Sequence, residues 1–234
     1  MLVRDDSILR NIPATLNRKQ ALFLDGMRHA AEICDFSYRR LQHTLTEIAV
    51  VVDHPKELAT SAFVDAWAIV DALDRFRMLW KLQPNATFIK PIFPQRTIDQ
   101  EFADVRNVRN VSDHLAQRAD QIVSLNGSAL GELSWITVID AQKQECASCV
   151  LVPGVAKNGT YEYPVPRGET IGVPTGFIQL RAGETVANLS TAISCLAARV
   201  KQVEEYIRPA IQRDVGDMTS NGIDMLVRAT LKPN

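Results

Sequence analysis

Apolar residues return every three or four positions over two long stretches at the start of the chain. The first stretch runs from about Asn17 to Val51, with Leu24, Met27, Ala31, Cys34, Tyr38, Leu41, Leu45 and Ile48 on one side. That spacing predicts a helix with a single stripe to bury against a partner. Asp53-His54-Pro55 breaks the pattern and opens a second helix, because proline is tolerated in a first helical turn. Ala62, Ala66, Ile69, Leu73, Phe76 and Trp80 form its buried face, and it should stop before Pro84. Prolines 84, 91 and 94 make Ala86–Arg96 a linker. Thr97-Ile98-Asp99-Gln100 has the form of a capping box, and a third helix follows, with Ile98, Phe102, Val105, Val108, Leu115, Ala119 and Ile122 inward and Asn126-Gly127 closing it.

The pattern then changes period. Leu133–Ile139, Cys146–Val152, Thr160–Val165 and Gly176–Leu180 are rich in β-branched and aromatic residues, with Gly, Pro and Asn between them. They predict a small antiparallel meander. A fourth helix carries Val186, Leu189, Ile193, Leu196, Val200, Val203 and Ile207, and Pro209 ends or kinks it. A tail follows, with room for a short helix around Ile223–Leu231. Four helices with matching stripes bury them most economically against one another. The expected fold is therefore mainly α (α+β): an antiparallel four-helix bundle, residues 17–126 plus 184–213, with a small antiparallel β insertion at about 130–182 between helices three and four. Residues 214–234 form the tail, and the 234 residues make one domain.

Composition narrows the function classes. Lys+Arg 26 against Asp+Glu 27 leaves a net charge of −1, so no general basic field gathers nucleic acid, and any RNA contact must be local. The four cysteines are too few and too scattered for a disulfide framework, which suits a cytoplasmic protein. Met1–Pro13 lacks the apolar core of a signal peptide, and no apolar run reaches membrane-spanning length, so no membrane association is expected. Cys146-Ala-Ser-Cys149 falls in a predicted strand, where positions three apart face opposite sides, and no second ligand pair stands at zinc spacing. No metal or cofactor is expected.

The candidate chemistry lies on the third helix, at Arg109-Asn110-Val111-Ser112-Asp113-His114. Arginine is a permanent cation that fits phosphate, and histidine moves protons near neutral pH. On an ideal wheel Asn110 and His114 share the polar side one turn apart, while Arg109 stands about 140° from His114. The two converge only if the helix kinks near the motif or a second copy supplies the other group. A plainer reading is an ion pair between Arg109 and Asp113, four apart, with Asn110 and His114 solvated. Asp71 or Asp74 on the second helix is a candidate to support the arginine from a neighbouring element.

The Arg109-Asn110…His114 spacing, on the third long helix of a bundle, resembles the HEPN superfamily of helical-bundle proteins, whose signature is Arg, four to six residues, then His, with a polar residue after the arginine. The resemblance covers the helices and not the β segment. It implies a homodimer with the motif at a symmetric cleft. It also implies metal-independent endoribonuclease activity, in a toxin or defence effector held by a protein partner such as an antitoxin. In that scheme His114 is general base or acid, Arg109 holds the scissile phosphate, and Asn110 orients the histidine or bonds the ribose. Arg106, one turn before Asn110, adds a substrate phosphate contact. The alternative is a non-catalytic helical protein that binds itself or a protein partner, with Arg109 and His114 apart and paired to carboxylates or solvated.

Overall fold

In the computed structural model the described residues are 1–51, 56–86, 94–124, 127–143, 145–154, 162–165, 174–215, 219–220 and 224–229. They form six helices and one four-stranded sheet: α1 (Arg18–Val50), α2 (Lys56–Ala86), α3 (Gln95–Glu101), α4 (Ala103–Asp113), α5 (Leu115–Ser124), β1 (Glu132–Asp140), β2 (Glu145–Leu151), β3 (Thr175–Ala182), β4 (Thr185–Asn188) and α6 (Leu189–Val215).

α1 begins where a local signal says it should. The Asn17 side chain accepts from the Lys19 and Gln20 amides, and Gln20 reaches back to the Asn17 amide. This reciprocal cap satisfies donors that the first turn leaves open. α1 and α2 pack as an antiparallel hairpin, bridged by Phe23 against Trp80 at a centroid distance of 6.3 Å. Gly26 lets the helices approach, since a Cβ there would stand 2.8 Å from a Leu79 methyl. α2 does not stop before Pro84 but runs on to Ala86.

The four-helix bundle with a small insertion is not what forms; the molecule is an α+β fold in which the sheet is a structural layer. The strands run in the order β2-β1-β3-β4, antiparallel throughout. Leu133, Trp135, Ile178 and Leu180 on the sheet are at most 1% exposed and belong to the same core as Leu41, Phe76 and Leu196 on the helices. A helix stripe needs an apolar partner, and here the sheet supplies much of it. β4, missed in the sequence, pairs with β3 across the Gly183-Glu184 turn. It takes Val186 out of the expected fourth helix. α6 starts at Leu189, where the Asn188 side chain accepts from the Thr191 amide. Pro209 lies inside α6, which continues to Val215.

The expected third helix is three pieces, broken at Phe102 and His114, where ψ is 21° and 26° in place of a helical value. Phe102 is fully buried and meets Phe76 edge-on, with centroids 6.4 Å apart. The expected capping box at Thr97 is not used, because α3 already starts at Gln95 behind Pro94. The Gly127 amide closes α5 by donating to the Ile122 carbonyl at 2.9 Å. Residues 162–165 form no strand and residues 224–229 no helix. Asp53-His54-Pro55, residues 87–93 of the expected linker, Asn126 and Thr160-Tyr161 lie outside the described residues.

A chain of hydroxyls ties α1 to the sheet. Thr46 donates to the Gln42 carbonyl (2.7 Å), so it must accept from Thr175 (2.7 Å), which in turn accepts from Thr137 (2.8 Å). Thr137 and Thr175 are fully buried, and the chain leaves neither hydroxyl without a partner. β3 carries a bulge opposite Trp135, with Phe177 at φ 58°. The Ile178 amide that the bulge frees donates to the Ser190 hydroxyl at 2.9 Å.

Candidate functional site

The motif residues fall on α4 and the break that ends it. Arg106, Arg109 and Asn110 lie within the helix, and His114 is its C-cap at φ −112°, ψ 26°, with its amide donating to the Asn110 carbonyl. α4 therefore ends at His114 itself. Asn110 and His114 are exposed, and among the described residues no side-chain hydrogen bond or ion pair joins His114 to Arg109. The Arg106 side chain is half-buried and forms no ion pair among the described residues.

Arg109 has other partners. Its Nε donates to Asp71 at 2.9 Å and its Nη1 to Asp74 at 2.9 Å, both on α2, while Asp113 stands 3.8 Å away on its own helix. The Asp71 hydrogen bond outweighs the cost of burial and, with the Asp113, Asp74 and Asp71 charges, pushes the guanidinium above its already high range. The contacts continue inward. Asp74, 4% exposed, uses its second oxygen to accept from Arg77 at 2.8 Å, and Arg77, 5% exposed, donates to Asp99 on α3 at 2.8 Å. Lys81 lies 3.9 Å from Asp99. The result is an alternating ladder, Asp71–Arg109–Asp74–Arg77–Asp99–Lys81, that is deepest at Asp74 and Arg77, returns toward the surface at Asp99 and Lys81, and pins α4 and α3 onto α2.

The arrangement ties α4 to α2. Two of the guanidinium's donors are spent on carboxylates, and an entering phosphate would meet Asp71, Asp74 and Asp113 around one cation. Mutual repulsion of anions opposes that entry. Arg109 reaches across 35 and 38 positions to α2, contacts that the i,i+4 pairing with Asp113 could not foretell. The clue present in the chain was Asp71 and Asp74, one turn apart on the second helix, with Arg77 a further turn on.

The chain matches no known family, no characterised protein and no solved structure.

Asp25, His29 and Asp224 bring three ligand atoms within 4.8 Å of one another. The Arg28 guanidinium already fills that space, at 2.9 Å from Asp25, 2.6 Å from Asp224 and 2.7 Å from His29 Nε2. A concavity of about 500 Å³ lies between the first residues of the chain and α6, lined by Arg4, Lys201, Glu204, Glu205 and Arg208 among others, and contains no motif residue. All four cysteines are free thiols. Burial pushes the Cys34 thiol far above its ordinary range and raises Cys149 and Cys195 as well, so none of these three is activated. Cys146 and Cys149 stand opposite Val138 and Trp135 in the ladder, on opposite faces of the strand.

The charge ladder also sets an acid sensitivity. Burial alone would raise the Asp99 carboxyl, but the hydrogen bond from Arg77 and the charges of Lys81 and Arg77 outweigh it and hold Asp99 below the usual carboxylate range. A depressed folded-state pKa contributes stability that is fully present above the unfolded value and lost as pH falls through the folded one. Urea midpoints measured down through the acid range should therefore drop more steeply for wild type than for Asp99→Asn. Parallel curves would show that Asp99 titrates alike in both states.

Proposed function

We propose that this chain acts by binding, as a non-catalytic α+β helical protein that associates with itself or with a protein partner, and that the arginine of its motif serves the fold. The observation that carries this reading is the capture of Arg109 by Asp71 and Asp74, each at 2.9 Å. A metal-free nuclease needs that guanidinium open to a phosphate and aimed where charge develops. Exposed apolar side chains on the α1–α2 hairpin support the same reading: Leu22 and Phe36 on α1, and Val64, Met78 and Leu82 on α2. Among the described residues no helix is long and apolar enough to cross a membrane. Four thiols without a disulfide favour the reducing cytoplasm as the compartment.

The HEPN-type ribonuclease is the second reading. It rests on Asn110 and His114, both exposed at the α4–α5 break. In it His114 moves the proton of an RNA 2′-hydroxyl, a second copy completes the site, and the biological setting is a toxin or defence effector. The two readings part in one assay: incubation of a mixed RNA pool with the protein in EDTA, beside His114→Ala and Arg109→Ala. The expected result is no cleavage by wild type at high protein concentration. Metal-independent cleavage, lost in both variants, would overturn the binding reading and establish the nuclease.

A further inference from the structure

The outward face of α2 carries a pattern that reads the same in both directions. Val64, Ala68, Asp71, Arg75, Met78 and Leu82 fall within about 80° of the helix surface at about 100° per residue. All are exposed except Ala68, which is half-buried. About a centre at Leu73, Asp71 mirrors Arg75, Ala68 mirrors Met78 and Val64 mirrors Leu82. Opposite charges are thus reflected onto each other, a small residue onto a long flexible one, and a branched apolar residue onto another. A two-fold axis through that centre turns each reflection into a contact between copies, as an isologous interface requires.

We propose that α2 is the self-association surface of this protein, crossing the α2 of a second copy antiparallel about an axis at Leu73; the inference rests on the binding reading above and specifies its partner. Two observations besides the symmetry point to this occupant. Arg75 is an exposed arginine with no ion pair among the described residues, although Asp71 lies only four positions away on the same helix. Asp71 spends Oδ1 on Arg109 and keeps its carboxylate 58% exposed, so it has capacity for a partner's guanidinium. Beside Val64 the surface is hollowed into a shallow depression of about 430 Å³, lined also by Lys56, Glu57, Thr60 and Ser61. The two-fold brings the other copy's Leu82 to this hollow. The stripe is about 27 Å long at 1.5 Å per residue and about 10 Å wide. Such a footprint alone falls short of the roughly 800 Å² per partner of a standard interface, so the association is reversible and concentration-dependent, with the neighbouring face of α1 adding area.

The register is testable by charge exchange. Asp71→Lys sets two cations against each other across the axis, and Arg75→Glu sets two anions, so each variant repels itself at two symmetric points. Mixed one to one, the variants oppose unlike charges at both points. Sedimentation velocity over a wide concentration range should show a monomer–dimer equilibrium for wild type. Each variant alone should dimerise about tenfold or more weakly, and the mixture should regain the dimer. Val64→Lys, at a side chain that makes no ion pair among the described residues, should weaken the dimer as well, and thermal melts of each variant separate this from unfolding. A wild-type chain that stays monomeric at every concentration would overturn both this proposal and self-association. A wild-type dimer that the variants leave unchanged, or a mixture no better than its components, would overturn the α2 interface and leave self-association standing through another face.

Discussion

Replacing Asp74 by alanine should destabilise the fold by about 3 kcal/mol or more, beyond the effect of Arg109→Ala, when both are measured as shifts in urea midpoint at constant slope. The asymmetry follows from depth. Asp74 and Arg77 each keep only 6% of their side-chain surface, whereas Arg109 keeps 39%. Taking Asp74 away strands the Arg77 guanidinium in the interior with Asp99 as its remaining partner. A buried charge that loses its partner costs far more than the pair ever contributed, because its lost hydration is no longer offset. Taking Arg109 away costs Asp74 the donor to its second oxygen but leaves Asp74 paired with Arg77, and it exposes Asp71 and Asp113 to water they already touch, so the loss is about 1–2 kcal/mol. The double variant Asp74→Ala/Arg77→Met should recover much of the loss, since it removes both charges and fills the space. A single-variant loss below about 1 kcal/mol would mean that the ladder is solvated, and Arg109 would then be available for a phosphate. The stability experiment therefore bears on the function: the more Asp74 matters to the fold, the less free its arginine is.

The second large effect is expected at Gly131, which precedes β1. It sits at φ 83°, in the left-handed region, and a Cβ added there would stand 2.3 Å from the Arg181 carbonyl oxygen. Both obstacles are backbone, and neither can rotate away. Gly183, in the β3–β4 turn, also has positive φ, at 56°, but a Cβ there meets nothing closer than a Val111 methyl at 3.9 Å. Gly183→Ala should thus cost about 1–2 kcal/mol from the dihedral alone. Gly131→Ala should cost that and the clash besides, at least about 3 kcal/mol, with loss of the β1–β3 register at Glu132 and Arg181. Thermal unfolding of the two variants side by side measures the difference. Equal losses would show that the strand ends yield and that the close approach at Gly131 is not held.

Local chemistry alone was enough for several elements. α1 and α2 are long periodic stripes, and their 3.6-residue repeat survives any partner, helix or sheet. β1, β2 and β3 lie within a few residues of the β-branched runs that announced them, because such side chains fit a pleated surface. β4 has no such signature in Thr-Val-Ala-Asn. It is a strand because a two-residue turn returns it to β3, a decision made by pairing rather than propensity. The expected third helix has a nearly continuous apolar stripe, yet it breaks at Phe102, where the ring is held against Phe76, and again at His114.

The motif shows the same division. The chain placed Arg109, Asn110 and His114 within two turns and left open whether the arginine met a substrate, Asp113 or a carboxylate of the second helix. Only the packing of α4 across α2 chose Asp71 and Asp74, which stand 38 and 35 positions away. Helices and strands are written locally because their hydrogen bonds and side-chain periods are local. The sheet's place as a layer of the core, and the partners of a charge, depend on which surfaces meet when the whole chain closes, so only the tertiary structure decided them.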